Sequence, residues 1–508
     1  MRRRLGTRPV VAVLAGAVAV FGFAPFYAWP ATLLSLAVGF FLMATASNGR
    51  AAAATGWLYG FGYFCASVHW LFIALHRYGG MPAALAGFCI AGFAAFLALY
   101  PALAGWLAHR SCRQPLWRLT LALPAAWALT EWLRGWLFTG FPWAAAGYSQ
   151  IPDGPLAGYA PLLGIYGVGL LLAVLAGVLA WLADLVWRER AVSGRPGLAL
   201  GATVLLLLAS PRLLGEISWT TPVGRPLRVA LLQGAIPQDM KWSAELLRFN
   251  LVTYLDQVRA AQGDLLVLPE TALPIFLQEL PPDYLAELVD LSRRKGAALI
   301  VGAPRQEEGI RYYNSAVLLS DPDRPSYDKA HLVPFGEYIP LRGLIGWVYN
   351  GLLNIPLADF TAGGPSQMPF HVGEQRIAAN ICYEDVFGAE LLPGARQATM
   401  LLNLSNLAWY DHSVALAQHG QIAQARALET GRSMLRATNT GTTAVIGPDG
   451  RYRARLPERV QAVLSATVQG YRGETPYMGW GNQPFVWLAC GIWVLALWGG
   501  RRKAQMEK

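Results

Sequence analysis

The sequence predicts a multi-domain membrane protein, an eight-helix transmembrane bundle joined to an α/β domain. Two observations carry this reading. Of 508 residues, 54% are hydrophobic and only 14% charged, against roughly 25% charged residues in soluble domains. The apolar residues are also unevenly placed. Long runs crowd the first 214 positions and the C-terminal end, while the stretch between them alternates short apolar strands with helical patterns.

The long runs fall at 10–27, 31–46, 56–75, 83–108, 119–138, 162–187, 198–214 and 485–498. Each is close to the ~20 residues a helix needs to cross the hydrocarbon core. Met1 and three arginines before the first run look like a signal peptide. The second run follows at once, however, so the first reads as a retained anchor. In an eight-span arrangement Arg2, Arg3, Arg4, Arg50, Arg110, Arg113, Arg118, Arg188, Arg190, Arg195, Arg501, Arg502 and Lys503 share one side. The opposite loops carry almost no basic residues, Arg77 being the exception. The positive-inside rule then puts both termini in the cytoplasm. The expected domains are 1–214 with seven spans, 215–482 outside the cytoplasm, and 483–508 with the eighth span and a cytoplasmic tail. The net charge of +10 is held in clusters beside apolar runs, so it points to a membrane and not to nucleic acid. Glu131 and Arg134 stand three apart on the fifth run and can pair on one helix face. The loop 139–161, rich in aromatics, Gly and Pro, suits an interfacial anchor or a substrate lip.

Within 215–482, strands are expected at 227–233, 264–269, 297–303, 314–320, 376–381, 399–404, 442–446 and 462–468, and helices at 244–262, 282–295 and 418–432. This alternation implies a layered α/β fold. The five cysteines show no metal or disulfide spacing, so neither metal nor cofactor is expected. Cys65, Cys89, Cys112 and Cys490 lie in or beside apolar runs, which leaves Cys382 alone in the polar part. A lone cysteine usually packs as a small hydrophobe. In an oxidising compartment, though, an unpaired thiol is a liability unless it is used.

Cys382 ends an apolar strand, and Tyr383, Glu384 and Asp385 follow it directly. Strand ends are where α/β sheets bind ligands. Two further strand exits carry reactive groups, Leu266-Val-Leu-Pro-Glu270 and Tyr327-Asp-Lys329, the latter running on to Glu337. Cysteine chemistry requires a thiolate, and a carboxylate nearby can take the proton. A lysine lowers the thiol pKa and stabilises an oxyanion. The backbone N–H of Tyr383 is a second oxyanion donor.

Together these motifs resemble the nitrilase superfamily, and more closely its membrane-anchored branch, the apolipoprotein N-acyltransferase family. The matching stretches are VALLQGAIPQ from Val229, Trp242, LPETA around Glu270, KAHLVPFGEYIP from Lys329, ICYED around Cys382, LSNLAWY from Leu404, Gln418-His419, and GRSMLRATNTG from Gly431. Leu407 departs from the pattern, since many members have Asp there. The resemblance implies an αββα sandwich with Glu270 as general base, Lys329 as oxyanion stabiliser and Cys382 as nucleophile. Glu337 is implied as a further carboxylate holding Lys329 or the substrate amine, and Tyr383, Glu384 and Trp242 as flap residues. The pattern needs no histidine, so His331 and His419 are expected to be structural. The implied reaction moves an acyl chain from a membrane glycerophospholipid, phosphatidylethanolamine by the family pattern, to the amine of S-diacylglyceryl-cysteine on an apolipoprotein. It runs through a cysteine thioester, on the periplasmic side of a bacterial inner membrane. A tethered amidase would use the same triad but needs one anchor, not eight. A transporter with a sensory domain would leave Cys382→Ala silent.

Overall fold

The computed structural model describes residues 7–188, 195–238, 244–307, 311–340, 343 and 359–506. The chain forms two compact units: Met1–Leu71, Ala84–Ser218 and Gly479–Lys508 make one, Phe72–Ala83 and Trp219–Met478 the other.

The first unit is helical. Helices Arg8–Val18, Trp29–Ala44, Gly49–Val68, Ala83–Leu97, Leu99–Ser111, Leu123–Arg134, Ala160–Trp187, Arg195–Gly215 and Gln483–Met506 cover the apolar runs. Among the described residues only Ala83–Ser111 and Ala157–Trp187 are long and apolar enough to cross a membrane, or three if Gly49–Val68 with Leu71–Tyr78 counts as one bent span. Two of the other runs are interrupted by local breaks. The first helix tightens into a 3-10 turn at Ala19–Gly22, and the fifth run stops at Phe138, whose φ is +55°. Glycines let helices meet backbone to backbone: a Cβ on Gly16 would lie 2.0 Å from the Tyr59 carbonyl oxygen. Small residues allow such contact where apolar surroundings offer little drive to associate.

Glu131 and Arg134 do pair, at 3.7 Å and fully inside the unit. Both also hold the loop that follows. Glu131 accepts from the Ala146 N–H at 2.9 Å, and Arg134 donates to the Trp143 carbonyl at 3.0 Å. Residues 142–151 are therefore buried within the unit.

The second unit contains two six-stranded sheets. The first has the order β12-β1-β2-β3-β4-β5, with β1 Thr221–Gln233, β2 Leu265–Val267, β3 Ala298–Gln306, β4 Tyr312–Leu318, β5 Ser326–Asp328 and β12 Ala462–Arg472. The second has the order β11-β10-β9-β8-β7-β6, with β6 Phe370–Val372, β7 Gln375–Ile381, β8 Met400–Ser405, β9 Ser433–Thr438, β10 Ala444–Ile446 and β11 Tyr452–Arg455. β1, β2 and β3 run parallel, as do β7, β8 and β9.

Side-chain alternation explains the layers. Val229 and Leu231 of β1, with Val267 and Ile300, meet Ile377, Ile381, Leu402 and Leu435 in one core between the sheets. The alternate residues Ala230, Leu232 and Leu266 face outward against helices Ala244–Ala260 and Pro282–Lys295. Leu401 and Met434 likewise meet helices Gly388–Gln397 and Ala415–Thr430. The result is a four-layer αββα sandwich.

Arg77, the exception to the loop-charge pattern, belongs to this unit and forms an ion pair with Asp411. Tyr78 beside it packs edge-on against Trp409, with ring centroids 6.0 Å apart.

Candidate active site

Glu270 lies just past β2, Lys329 just past β5 and Cys382 just past β7, and the sandwich brings all three together with Glu337. The Lys329 ammonium is 2.9 Å from the Glu337 carboxylate and 3.4 Å from Glu270. It is 1% exposed. Burial pulls its pKa down, but the charges of Glu337 and then Glu270 more than reverse this and leave it above the ordinary lysine value. The group is therefore an ammonium ion.

Glu270 is fixed from several sides. One oxygen accepts from the Asn314 side-chain amide at 2.8 Å, the other from the Asn406 N–H at 2.7 Å. The same Asn314 amide donates to Glu337 at 2.9 Å, so one residue on β4 spaces the two carboxylates. The Val333 N–H donates to the second Glu337 oxygen at 2.8 Å.

Cys382 takes φ +54°, a left-handed conformation uncommon for a side chain with Cβ. It opens the 3-10 turn Cys382–Val386. The residue keeps partial access to solvent, although most of the shell around its sulfur is protein. Burial raises the thiol pKa, the Glu270 charge raises it further, Lys329 opposes and Glu337 adds. The thiol hydrogen-bonds to Glu270. The balance of these effects holds the thiol well above its ordinary pKa, so it needs a base to take its proton.

Glu384 does not behave as a flap residue. It is 3% exposed and accepts from the N–H groups of Ile381 at 2.6 Å, Ala330 at 2.7 Å and His331 at 3.0 Å, and from the Tyr327 hydroxyl at 3.0 Å. Burial raises its pKa and the backbone donors oppose the rise. Glu384 is a strut joining the cysteine turn to the lysine segment, because a buried carboxylate must find donors. Tyr383 is half-buried and packs edge-on against Phe387 at 5.1 Å. Trp242 lies outside the described residues. His331 stacks on Phe387 at 3.7 Å and pairs with Glu390 at 3.0 Å.

Sequence reasoning misses three contributors. Asn314 gives no signal beyond a polar residue inside an apolar strand. Arg436 sits fully buried on β9 and bonds to Asp385 at 2.9 Å. Tyr410 lies against the cluster: burial raises its phenol, as does the Cys382 charge, while Lys329 opposes. Leu407, the departure from the family pattern, is fully buried, and its apolar side chain can offer the triad no hydrogen bond. Among the described residues no group of three or more His, Cys, Asp or Glu is arranged to hold a metal ion.

A buried thiol, an ammonium and two carboxylates gathered beside the strand ends of an αββα sandwich make an enzyme site equipped for cysteine-based acyl chemistry. The family model described as carbon-nitrogen hydrolase matches residues 228–477, and that of the apolipoprotein N-acyltransferase N-terminal domain matches residues 15–178. An apolipoprotein N-acyltransferase of Chromobacterium violaceum is 48% identical over 98% of this chain and 95% of its own length. One from Nitrosomonas europaea is 44% identical over 98% and 99%. The chain belongs to the apolipoprotein N-acyltransferase family. Among solved structures, an amidase from Nesterenkonia sp. aligns with 51% of this chain and 94% of its own at 20% identity, with a TM-score of 0.37.

Proposed function

We propose that the protein transfers an acyl chain from a membrane glycerophospholipid to the N-terminal amine of S-diacylglyceryl-cysteine on apolipoproteins, by a two-step mechanism through Cys382. The observation that carries this reading is the convergence of Glu270, Lys329 and Cys382 within one buried cluster.

In the first step Glu270 takes the thiol proton as sulfur attacks the ester carbonyl. The oxyanion of the tetrahedral intermediate lies between the Lys329 ammonium and the Tyr383 N–H. Collapse breaks the ester C–O bond, Glu270 returns its proton to the departing glycerol oxygen, and a lysophospholipid leaves. In the second step the neutral acceptor amine attacks the thioester, Glu270 takes a proton from nitrogen, and the thiol is regenerated. Glu337 holds Lys329 throughout. A thioester retains the free energy of the ester it replaces, so no nucleotide is required. Exclusion of water protects it from hydrolysis.

The remaining parts of the proposal concern the membrane. Residues 1–214 form seven spans and 483–508 an eighth, with 215–482 on the periplasmic side of the inner membrane and both termini cytoplasmic. Phosphatidylethanolamine is the donor. The loop charges support the orientation. The test is a single turnover without acceptor: the enzyme should release one lysophospholipid per Cys382 and then stop until a diacylglyceryl peptide is added. Continuous release without acceptor, or full transfer by Cys382→Ser, overturns the mechanism.

A further inference from the structure

The backbone of the nucleophile is held from behind by a buried polar chain. The Cys382 carbonyl accepts from His419 Nε2 at 3.0 Å and from the Asn403 side-chain amide at 3.3 Å. His419 comes from helix Ala415–Thr430 and Asn403 from β8. On its other side, His419 Nδ1 is 2.8 Å from Arg436 Nη2. A guanidinium has donors only, so Nδ1 must accept, and the ring hydrogen must reside on Nε2 and point at the Cys382 carbonyl. Arg436 is fixed in turn by Asp385 at 2.9 Å, the Asn403 side-chain oxygen at 3.1 Å and the Thr442 carbonyl at 3.2 Å. His419, Arg436, Asp385 and Asn403 are all 1% exposed or less.

The peptide between Cys382 and Tyr383 is a rigid plane. In a trans peptide its carbonyl and N–H point in opposite directions. Clamping the carbonyl toward His419 and Asn403 therefore aims the Tyr383 N–H the other way, toward the side where an attacked carbonyl would sit. The same clamp braces Cys382 in its left-handed conformation at φ +54°, which a residue with Cβ adopts only under strain.

We propose that His419, locked by Arg436 as its Nε2–H tautomer, is a positioning residue for acyl transfer: it aims the oxyanion-binding N–H that follows the nucleophile and takes no proton itself. This rests on the proposed role of Cys382. The groups facing His419 agree with a ring that stays neutral. Arg436 on β9 bonds its Nδ1, Asp385 on the cysteine turn lies 3.8 Å from Nε2, and Lys329 faces it from the lysine segment. Burial, Arg436 and Lys329 together hold the imidazole well below the usual histidine range, against the Cys382 carbonyl.

The test uses the full-length protein in detergent micelles with phospholipid donor and diacylglyceryl peptide acceptor. His419→Leu removes the donor. Its kcat should fall about 100-fold, the size of a lost oxyanion contact, with KM within about threefold. Alkylation of Cys382 by iodoacetamide should stay within about threefold of the parent, because the sulfur's own neighbours are untouched. His419→Gln restores an N–H near the Nε2 place and should recover at least about tenfold in kcat over His419→Leu. Arg436→Met frees Nδ1 to take a proton and leaves Asp385 without its cation, so activity should gain an acid limb that the parent lacks, below the ordinary histidine pKa of about 6.5 because burial and Lys329 remain. The proposal is overturned if folded His419→Leu keeps kcat within about threefold, or if folded His419→Gln is no better than His419→Leu. It is equally overturned if Arg436→Met shows the parental pH profile. Should His419→Leu fail to fold, the Arg436→Met pH profile decides alone. Parental transfer by Cys382→Ser sinks the underlying reading instead, and is scored separately.

Discussion

Asn314→Ala removes a neutral side chain that, like the Lys329 ammonium, bonds both carboxylates of the cluster. Its amide donates to Glu270 at 2.8 Å and to Glu337 at 2.9 Å. Hydrogen bonds to charged groups contribute about 1.5–3 kcal/mol each, so about 3–6 kcal/mol of gross interaction is lost. Glu270 keeps the Asn406 N–H at 2.7 Å and Lys329 at 3.4 Å, and therefore shifts without being released. A kcat loss of about 100-fold, about 2.7 kcal/mol, is expected. Asn314→Asp should be worse than Ala. It replaces a donor with a third carboxylate, and like charges about 4 Å apart repel by about 4 kcal/mol at an effective dielectric of about 20. The assay is acyl transfer from phospholipid to a diacylglyceryl peptide, with thermal unfolding measured alongside to score only folded variants. Retention of activity within about threefold in Asn314→Ala, or an Asp variant more active than the Ala one, refutes the reasoning.

Lys329→Met leaves Glu270 and Glu337 buried without their cation. Transfer should be lost, with a destabilisation of about 3–5 kcal/mol measurable by denaturant unfolding; a variant as stable as the parent contradicts the ion-pair geometry. Glu270→Gln removes the charge that, after burial, most raises the Cys382 thiol. Thiolate forms above the thiol pKa, so iodoacetamide labelling of the variant should rise at lower pH than in the parent, even as transfer disappears. A parental curve already flat at neutral pH contradicts the assignment. Asp385 is raised to about 7 by burial, against the pull of Arg436. Between about pH 4, the ordinary aspartate range, and pH 7, the folded protein holds this proton and the unfolded chain does not. The stability it confers is full below that window and fades as pH rises through 7. Asp385→Asn should flatten this loss in thermal unfolding scans, and an unchanged slope counts against it.

Much of the α/β domain is legible because its parallel strands are buried on both faces and read as continuous apolar runs. β2, β3, β7 and β8 fall inside or within a few residues of their expected positions. β5 and β6 have three residues each, like β2, but Ser-Tyr-Asp and Phe-His-Val lack the unbroken apolar run of Leu-Leu-Val that marks it. β9 is hidden by Arg436, whose guanidinium sits in mid-strand and is tolerated only because Asp385, Asn403 and His419 surround it. Helix Gly388–Gln397 carries Pro393 inside it, a residue that normally argues against a helix. The site divides in the same way. Glu270, Lys329 and Cys382 stand in dense reactive motifs at strand exits, and local sequence is enough to mark them. Asn314 and Arg436 act through partners far away along the chain, Glu270 and Asp385; Arg436 falls inside the family-like stretch from Gly431, but its neighbours in sequence do not show what it bonds. Glu384 shows the converse: its place beside the nucleophile suggests a flap, while its bonds to Ala330 and His331 make it a fixed brace.

The most direct test of the acyl-enzyme account is mass spectrometry of the full-length protein after incubation with phospholipid and no acceptor. A single fatty-acyl mass on the Cys382 peptide, removed by hydroxylamine and discharged by a diacylglyceryl peptide, is the predicted result. An unmodified Cys382 in preparations that still transfer acyl chains would contradict it.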